Sequence, residues 1–307
     1  MSKKIMAVVN PVSSGGKTAK NWPQYIKYFQ EEGLSIDSSY TSYPGHGVKL
    51  AREAVEKGYH YIMAVGGDGT INEVVNGLFK DNKLINEKIK LLIFAQGTGS
   101  DFIRTLGLKK GPEEIVKVMG RENIKSIDIG QVTYKSYDGN KESRYFINMA
   151  DTGIGAATAK LVNESSKIFG GFLTYLWGII RTLIVYRNRK VKVKVDGKLK
   201  YQEKLNSLII ANGKYFGGGI MIAPEAELDN GSLNILALKN LSKIDIIFNL
   251  IRAYKGTHLS HPLLESIKGL ELSIDSDYPL DLEIDGESVG TVPASFQLLE
   301  SSLSVLV

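Results

Sequence analysis

Gly66-Gly67-Asp68-Gly69-Thr70 is the stretch of this chain best suited to chemistry. Glycines let a backbone approach an anion closely, and a helix that starts just after them offers unpaired N–H groups and the positive end of its dipole. The apolar run Tyr61 to Val65 before it reads as a buried parallel strand, and Ile71, Val74, Val75, Leu78 and Phe79 after it fall at helical spacing. A carboxylate among the glycines would repel phosphate on its own. Asp68 therefore points to a bound Mg²⁺ between acid and phosphate, or to a hydroxyl held in place. An ordinary strand-to-helix turn is the competing explanation.

The elements around this turn alternate. Strands are expected over Ile5 to Asn10, Ser35 to Thr41, Tyr61 to Val65 and Lys90 to Ala95, with helices after Lys17 and over Val48 to Glu56, Thr70 to Phe79 and Glu113 to Met119. That order predicts a parallel α/β sheet with helices on both faces, whose ligands bind at the carboxyl ends of the strands. Turn chemistry collects there three times: Asn10 to Thr18 after the first strand, Gly66 to Thr70 after the third, and Gln96-Gly97-Thr98-Gly99-Ser100-Asp101-Phe102 after the fourth. All three loops are expected on one edge. The first ends in Gly16-Lys17-Thr18, but a P-loop needs a glycine where this chain has Pro11. It is kept as a phosphate-side wall, with Lys17 as a charge partner or simply solvated.

Near Ser126 to Gly130 the pattern changes to strands, over Gly130 to Tyr134, Tyr145 to Ala150, Val191 to Val195, Leu205 to Asn212, Leu233 to Leu238, Gly269 to Ile274 and Leu280 to Ile284. One helix over Lys167 to Tyr186 and a second over Lys243 to Tyr254 interrupt them. Two of the loops carry oxygen donors: Ala223-Pro224-Glu225-Ala226-Glu227-Leu228-Asp229-Asn230-Gly231, a cation site or a plain turn, and Asp285-Gly286-Glu287, a pair of acids or a hairpin turn.

Length and composition set outer limits. At 307 residues the chain has room for two domains. With 43% hydrophobic and 23% charged residues it is a globular chain, and with no cysteine it excludes disulfides, zinc–thiolate sites and cysteine nucleophiles. The N-terminal residues resemble no signal peptide, and the apolar stretch Ile168 to Tyr186 is broken by Arg181, so a cytoplasmic chain is expected. The net charge is +5, and the basic run from Arg187 to Lys204 is either a surface for anionic lipid or the solvated face of a half-buried strand.

Taken together, the Asn10-Pro11 loop, Gly66 to Thr70 with Asn72-Glu73, Gly97-Thr98 with Asp101-Phe102, Ile127-Asp128-Ile129-Gly130, Ala223-Pro224 with Asp229, and Asp285-Gly286-Glu287 resemble the bacterial diacylglycerol-kinase-like lipid kinases. That family shares its catalytic domain with sphingosine and ceramide kinases. The resemblance covers essentially the whole chain. It implies an N-terminal Rossmann-like α/β nucleotide-binding domain, residues 1–130 completed by 293–307, and a C-terminal β-sandwich lipid-substrate domain, residues 131–292, with the active site in the cleft between them. It implies contacts to ATP from Asn10, Pro11, Val12, Ser13, Ser14, Lys17, Thr41, Gly66, Gly67, Asp68, Gly69, Thr70, Ile71, Asn72 and Thr98.

Asp68 and Asp101 would organise the phosphates and catalytic Mg²⁺, with Asp128 acting through water. Asp285 would be the general base on the lipid hydroxyl, with Glu287 beside it and Lys167 near the cleft. Phosphoryl transfer asks for positioning and charge neutralisation, so a glycine cradle, Mg²⁺ and a carboxylate that accepts a proton suffice. The chain departs from the family pattern at Ser100, which commonly is Asn, and at Asn230, commonly a second Asp that binds a structural Mg²⁺ with help from Glu227 and Ser232. Asn brings no charge, which weakens such a site.

The implied activity is an ATP- and Mg²⁺-dependent transfer of the γ-phosphate to a lipid hydroxyl, with diacylglycerol or a close relative as acceptor. The alternatives are an NAD kinase-like enzyme with a soluble substrate, because the glycine turn is shared across that superfamily, and an inactive nucleotide- or lipid-binding regulator. The expected partner is a membrane lipid met by peripheral contact at the inner membrane face, with Gly170 to Ile184 as a contact segment unless Phe172, Leu173, Leu176, Trp177 and Ile180 pack inward. No nucleic acid is expected, and a homodimer is open.

Overall fold

The computed structural model describes residues 4–97, 99–164 and 171–307, and the side chains of 163–176 are left aside. The chain divides into two compact units, Met1–Asp128 with Glu300–Val307, and Ile129–Leu299. Residues 293–299 thus fall in the second unit.

In the first unit, β1 (Lys4–Val9), α1 (Lys17–Glu31), β2 (Ser35–Tyr40), α2 (His46–Glu56), β3 (Tyr61–Gly66) and α3 (Asp68–Leu78) follow in order. A short hairpin, β4 (Phe79–Lys80) and β5 (Lys83–Leu84), leads to β6 (Lys90–Ala95), α4 (Asp101–Leu106) and α5 (Pro112–Arg121). The sheet runs β2-β1-β3-β6, all parallel, with Ser304 and Val305 of the chain's last strand pairing with Lys90 and Leu91. Strands buried this way need apolar side chains in near-continuous runs, which Ile5 to Val9 and Leu91 to Ala95 supply. Ile5, Ala7, Val9, Met63, Val65, Leu92 and Phe94 meet Trp22 and Phe29 of α1 and Ile115, Val118 and Met119 of α5. Each large side chain buried here contributes about 1.5–3 kcal/mol. The α2–α3 contact is close enough that a Cβ at Gly77 would stand 2.4 Å from the Val48 carbonyl oxygen.

The second unit is β-rich. Its elements are β7 (Ile124–Ser136, entering from the first unit), β8 (Lys141–Phe146), β9 (Met149–Gly153), α6 (Ile154–Glu164), α7 (Gly171–Val185), β10 (Arg189–Val195), β11 (Lys198–Leu205) and β12 (Ser207–Ala211). They continue with β13 (Leu233–Leu238), α8 (Lys243–Ala253), β14 (Leu264–Gly269), β15 (Glu271–Ser276), β16 (Asp281–Ile284) and β17 (Glu287–Leu306). The path β14-β13-β12-β9-β16-β17 forms one run of strands, and β11-β10-β15 joins β17 from another side. Inward residues of both runs, among them Val193, Ile210, Ile235, Leu282 and Phe296, share one core with Phe146 of β8 in a β-sandwich-like arrangement.

Two differences from the sequence expectation each trace to a buried carboxylate. The expected strand Tyr145 to Ala150 is broken between β8 and β9, because the N–H groups of Ile147, Asn148 and Met149 turn to the Asp285 carboxylate. Helix α6 was not foreseen. Its start is fixed by Asp151, whose carboxylate accepts the Ala156 N–H and leaves room only for a glycine at 155, where a Cβ would lie 1.6 Å from Oδ2. Within the basic run the alternation expected of a half-buried strand is present over β10: Val191, Val193 and Val195 are buried, while Lys190, Lys192 and Lys194 are exposed.

Candidate functional site

The first-unit loops meet at the carboxyl edge of the sheet. The Asn10 N–H donates to the Val65 carbonyl (2.9 Å), the Thr41 N–H to that of Val9 (2.9 Å) and the Gln96 N–H to that of Gly66 (2.7 Å). A Cβ at Gly97 would lie 2.6 Å from Gly67 Cα, and one at Gly66 would lie 2.3 Å from Thr70 Oγ1. These glycines are required by close approach. Gly16 and Gly67 are the residues that precede α1 and α3, and as glycines they bring no side chain to cap either start. Each leaves N–H groups and the positive dipole end for an anion.

The loop before α1 is held from inside. Asn10 Oδ1 accepts the Val12 N–H (3.2 Å), and its Nδ2 donates to Thr70 Oγ1 (3.0 Å), which ties the first loop to the third. The Ser13 hydroxyl donates to the Asn10 carbonyl and meets Thr18 Oγ1 at 2.6 Å. Ser14, Gly15 and Gly16 all have positive φ, a run that suits glycine. Pro11 is half-buried, and Val12 and Lys17 stand exposed. Asn72 is fully buried, and its Oδ1 accepts from Asn76 Nδ2; Ile71 is buried in the helix core. Thr98 and Lys167 lie outside the described residues.

Asp68 opens α3 and also holds the start of α4: its Oδ2 and Oδ1 accept the N–H groups of Asp101 (3.1 Å) and Phe102 (3.3 Å). Asp101 is buried and bonded to Arg104 Nη1 at 2.6 Å. Both carboxylates flank Gly99, where an added Cβ would sit 3.4 Å from Asp68 Oδ2 and 3.8 Å from Asp101 Oδ2. Asp128 is nearly fully buried, and its Oδ1 accepts the Ser301 N–H at 2.7 Å. Two cations escaped the sequence reading, Arg104 and Lys110, whose Nζ donates to the Gly97 carbonyl (2.8 Å). Spacing alone gave a signal only for Arg104, three residues after Asp101 on a helix.

In the second unit, Asp285 is buried with φ +46. Its Oδ1 accepts the N–H groups of Asn148 (3.0 Å) and Met149 (2.9 Å), and its Oδ2 that of Ile147 (2.9 Å). Glu287 is half-buried and paired with Arg144 Nη2 at 2.7 Å. Two further acids, Glu283 and Asp151, stand directly opposite each other on β16 and β9, both buried. Burial pushes the Asp151 carboxyl up to about 7, against the hydrogen bond from the Ser207 hydroxyl. Burial, and then the charge of Asp151, hold Glu283 well above the usual carboxylate range, and its Oε1 accepts the Gly286 N–H. No sequence signal separates these two from ordinary strand residues.

The Asn230 side chain, expected as a metal ligand, is engaged within its own turn. Its Oδ1 accepts both the N–H (3.1 Å) and the hydroxyl (3.0 Å) of Ser232, and its buried Nδ2 has no hydrogen-bond partner among the described residues. Glu227 is exposed. Among the described residues no three His, Cys, Asp or Glu side chains converge as a metal cage.

The diacylglycerol kinase catalytic domain family matches residues 4–132, and the YegS C-terminal NAD kinase beta sandwich-like domain family matches residues 148–307. The chain belongs to the diacylglycerol-kinase-like lipid kinase family. This family likeness extends over the full length. The chain is 28% identical to the diacylglycerol kinase of Bacillus subtilis (strain 168), across 99% of this chain and 96% of that protein. It is 27% identical to the diacylglycerol kinase of Staphylococcus carnosus (strain TM300), across 99% and 95%. A solved structure from Bacillus anthracis str. Sterne matches with a TM-score of 0.79 at 24% identity, across 99% of this chain and 95% of that one, and shares the fold of this kinase family.

Proposed function

We propose that this protein is an ATP- and Mg²⁺-dependent lipid kinase that transfers the γ-phosphate to a lipid hydroxyl, with diacylglycerol as the acceptor named by its relatives. The observation that carries the reading is the pair of uncapped helix starts at Gly16 and Gly67 on one sheet edge, with Asp68 and Asp101 flanking Gly99 beside them. Mg²⁺ is characteristically held by one or two carboxylates and the phosphates themselves, and the Asp68 and Asp101 carboxylates beside Gly99 are a donor set of that kind. Asp68 and Asp101 are the residues that would hold it, and when bound it would neutralise charge on the phosphates.

The residues divide the work. The N–H groups at the starts of α1 and α3 take phosphate oxygens, and the Asn10–Thr70 bond keeps those two loops together. Arg104 and Lys110 hold the 96–101 loop in place through Asp101 and the Gly97 carbonyl. Asp285 accepts the proton of the lipid hydroxyl as the new oxygen–phosphorus bond forms and the bond to the β-phosphate oxygen breaks, releasing ADP. Its three N–H partners fix the carboxylate in a single pose. Glu287, paired with Arg144, holds the turn that carries it. The acceptor would be reached at a bilayer surface, and among the described residues no helix is long and apolar enough to cross a membrane.

The test is transfer of labelled γ-phosphate from ATP and Mg²⁺ to a panel of mixed-micelle lipids, with NAD as soluble control. Label on a lipid supports the reading. Label on NAD alone moves the protein to the soluble-substrate kinases, and nucleotide binding with no label anywhere makes it a regulator.

A further inference from the structure

Helix α8 is apolar on two opposite faces. Ile246 and Leu250 pack inward against Ile154 and against Ile179 and Leu183 of α7. Ile244, Ile247, Phe248 and Ile251 repeat at i, i+3, i+4 and i+7 on the other side, with exposures between 44% and 66%. On α7, Ile180 and Ile184 are 47% and 69% exposed. The end of α7 lies beside the first turn of α8, where Lys243 Nζ donates to the Ile184 carbonyl (3.0 Å). Surface helices of globular proteins turn polar residues outward, so a continuous outward apolar stripe marks a contact surface.

A cavity of about 380 Å³ opens at this junction. Arg187, Lys204 and Lys243 line it, and no acidic side chain is found among the described residues around it. Its floor is an amide network that is paired within itself: Asn206 Nδ2 donates to Asn188 Oδ1 (3.0 Å), and Asn188 Nδ2 to Asn240 Oδ1 (2.8 Å). The three cations around that floor carry charge that the cavity itself does not balance. Apolar side chains beside a cationic pocket are complementary to acyl chains beside phosphate.

We infer that the outer faces of α7 and α8 dock on an anionic phospholipid surface, with the cavity at Arg187, Lys204 and Lys243 receiving the phosphate of one headgroup. This deepens the lipid-kinase reading and rests on it for the reason a bilayer is visited. It names a second lipid contact, apart from the acceptor at Asp285. The docked lipid is bound and is not a substrate.

The test uses the full chain without nucleotide, sedimented with vesicles of phosphatidylcholine or of phosphatidylcholine mixed with phosphatidylglycerol. The mixed vesicles should bind more protein. Ile247→Ser with Phe248→Ser should weaken binding to them more than tenfold. Arg187→Ala with Lys204→Ala should weaken it about fivefold per cation and erase the preference over neutral vesicles. Both pairs are exposed, and unchanged thermal melting would exclude unfolding. Transfer to a short-chain, monomerically dispersed diacylglycerol should be unaffected by either pair. Unaltered vesicle binding in both variants would overturn the inference. So would inorganic phosphate saturating the cavity while vesicle binding ignores the cations, or loss of a dimer in the Phe248 variant with no change on vesicles. Wild-type chain that docks as described yet phosphorylates no lipid would sink the kinase reading and leave the docking surface standing.

Discussion

Asp68 and Asp285 are both carboxylates held by backbone N–H groups, yet the groups come from different kinds of structure. Asp68 takes two from the start of a helix, α4, and it faces an edge where glycines keep space open. Asp285 takes three from a gap in strand pairing, up to 138 residues earlier in the chain, and it stands two residues from Glu283, which faces Asp151 across the sheet. The first unit thus satisfies its acids with helix ends and cations such as Arg104. The second concentrates acids where desolvation penalises charge, and it relies on a positive-φ turn and broken strands to hold them. An arrangement that costs stability and is still present belongs to the part of the molecule where chemistry is expected.

The sharpest way to break this comparison is Asp285→Asn. Loss of the base should lower transfer by about 10²–10⁴-fold while nucleotide binding is kept. The amide also offers an N–H₂ where N–H donors already point, which should cost about 1–3 kcal/mol in urea unfolding. Equal activity in the mutant would remove Asp285 from the mechanism.

The next effect concerns pH. Because burial raises Asp151 from its ordinary 3.8 to about 7, the folded chain keeps a proton between those values that the unfolded chain has released. Stability therefore falls as pH rises through that window and remains lowered above it. Asp151→Asn should remove this fall, and near pH 8 it should be more stable than wild type by on the order of 3 kcal/mol. Unfolding midpoints measured from pH 4 to pH 8 (roughly the titration window) would show a flattened curve. Parallel curves for mutant and wild type would mean that Asp151 carries no such burden.

Smaller effects probe the first unit. Gly97→Ala must push the 96–101 loop away from Gly67, since the new Cβ would stand 2.6 Å from its Cα. Nucleotide affinity should drop by about 1–3 kcal/mol, read by calorimetry, with little change in vesicle binding. Glu73→Ala removes the acceptor of the Gly45 and Gly47 N–H groups, both at 2.8 Å, at the start of α2. It should cost about 1 kcal/mol of stability in urea unfolding and leave the catalytic pH profile unmoved.

The first unit was largely legible because its signals are local. Apolar runs such as Ile62 to Val65 announce buried parallel strands, and glycines followed by helical spacing announce the turns where ligands meet the sheet. The sequence also showed the acids at 68, 101 and 285, and the strand alternation of Val191 to Val195. It could not show the split between β8 and β9, because the cause is a carboxylate far along the chain. Helix α6 was hidden for a different reason: its start is set by Asp151 folding back on Gly155 and Ala156, and a strand acid carries no periodic signal of that turn.

By itself the sequence determined the α/β then β-rich order, the three glycine loops and the residue types that phosphate chemistry needs, since each depends on neighbours a few positions apart. Only the tertiary structure decided that Asp68 anchors α4, that Glu283 opposes Asp151, and that α8 leaves an apolar face outward. Those outcomes depend on which backbone groups, charges and faces long-range folding brings together, and no local periodicity encodes that pairing.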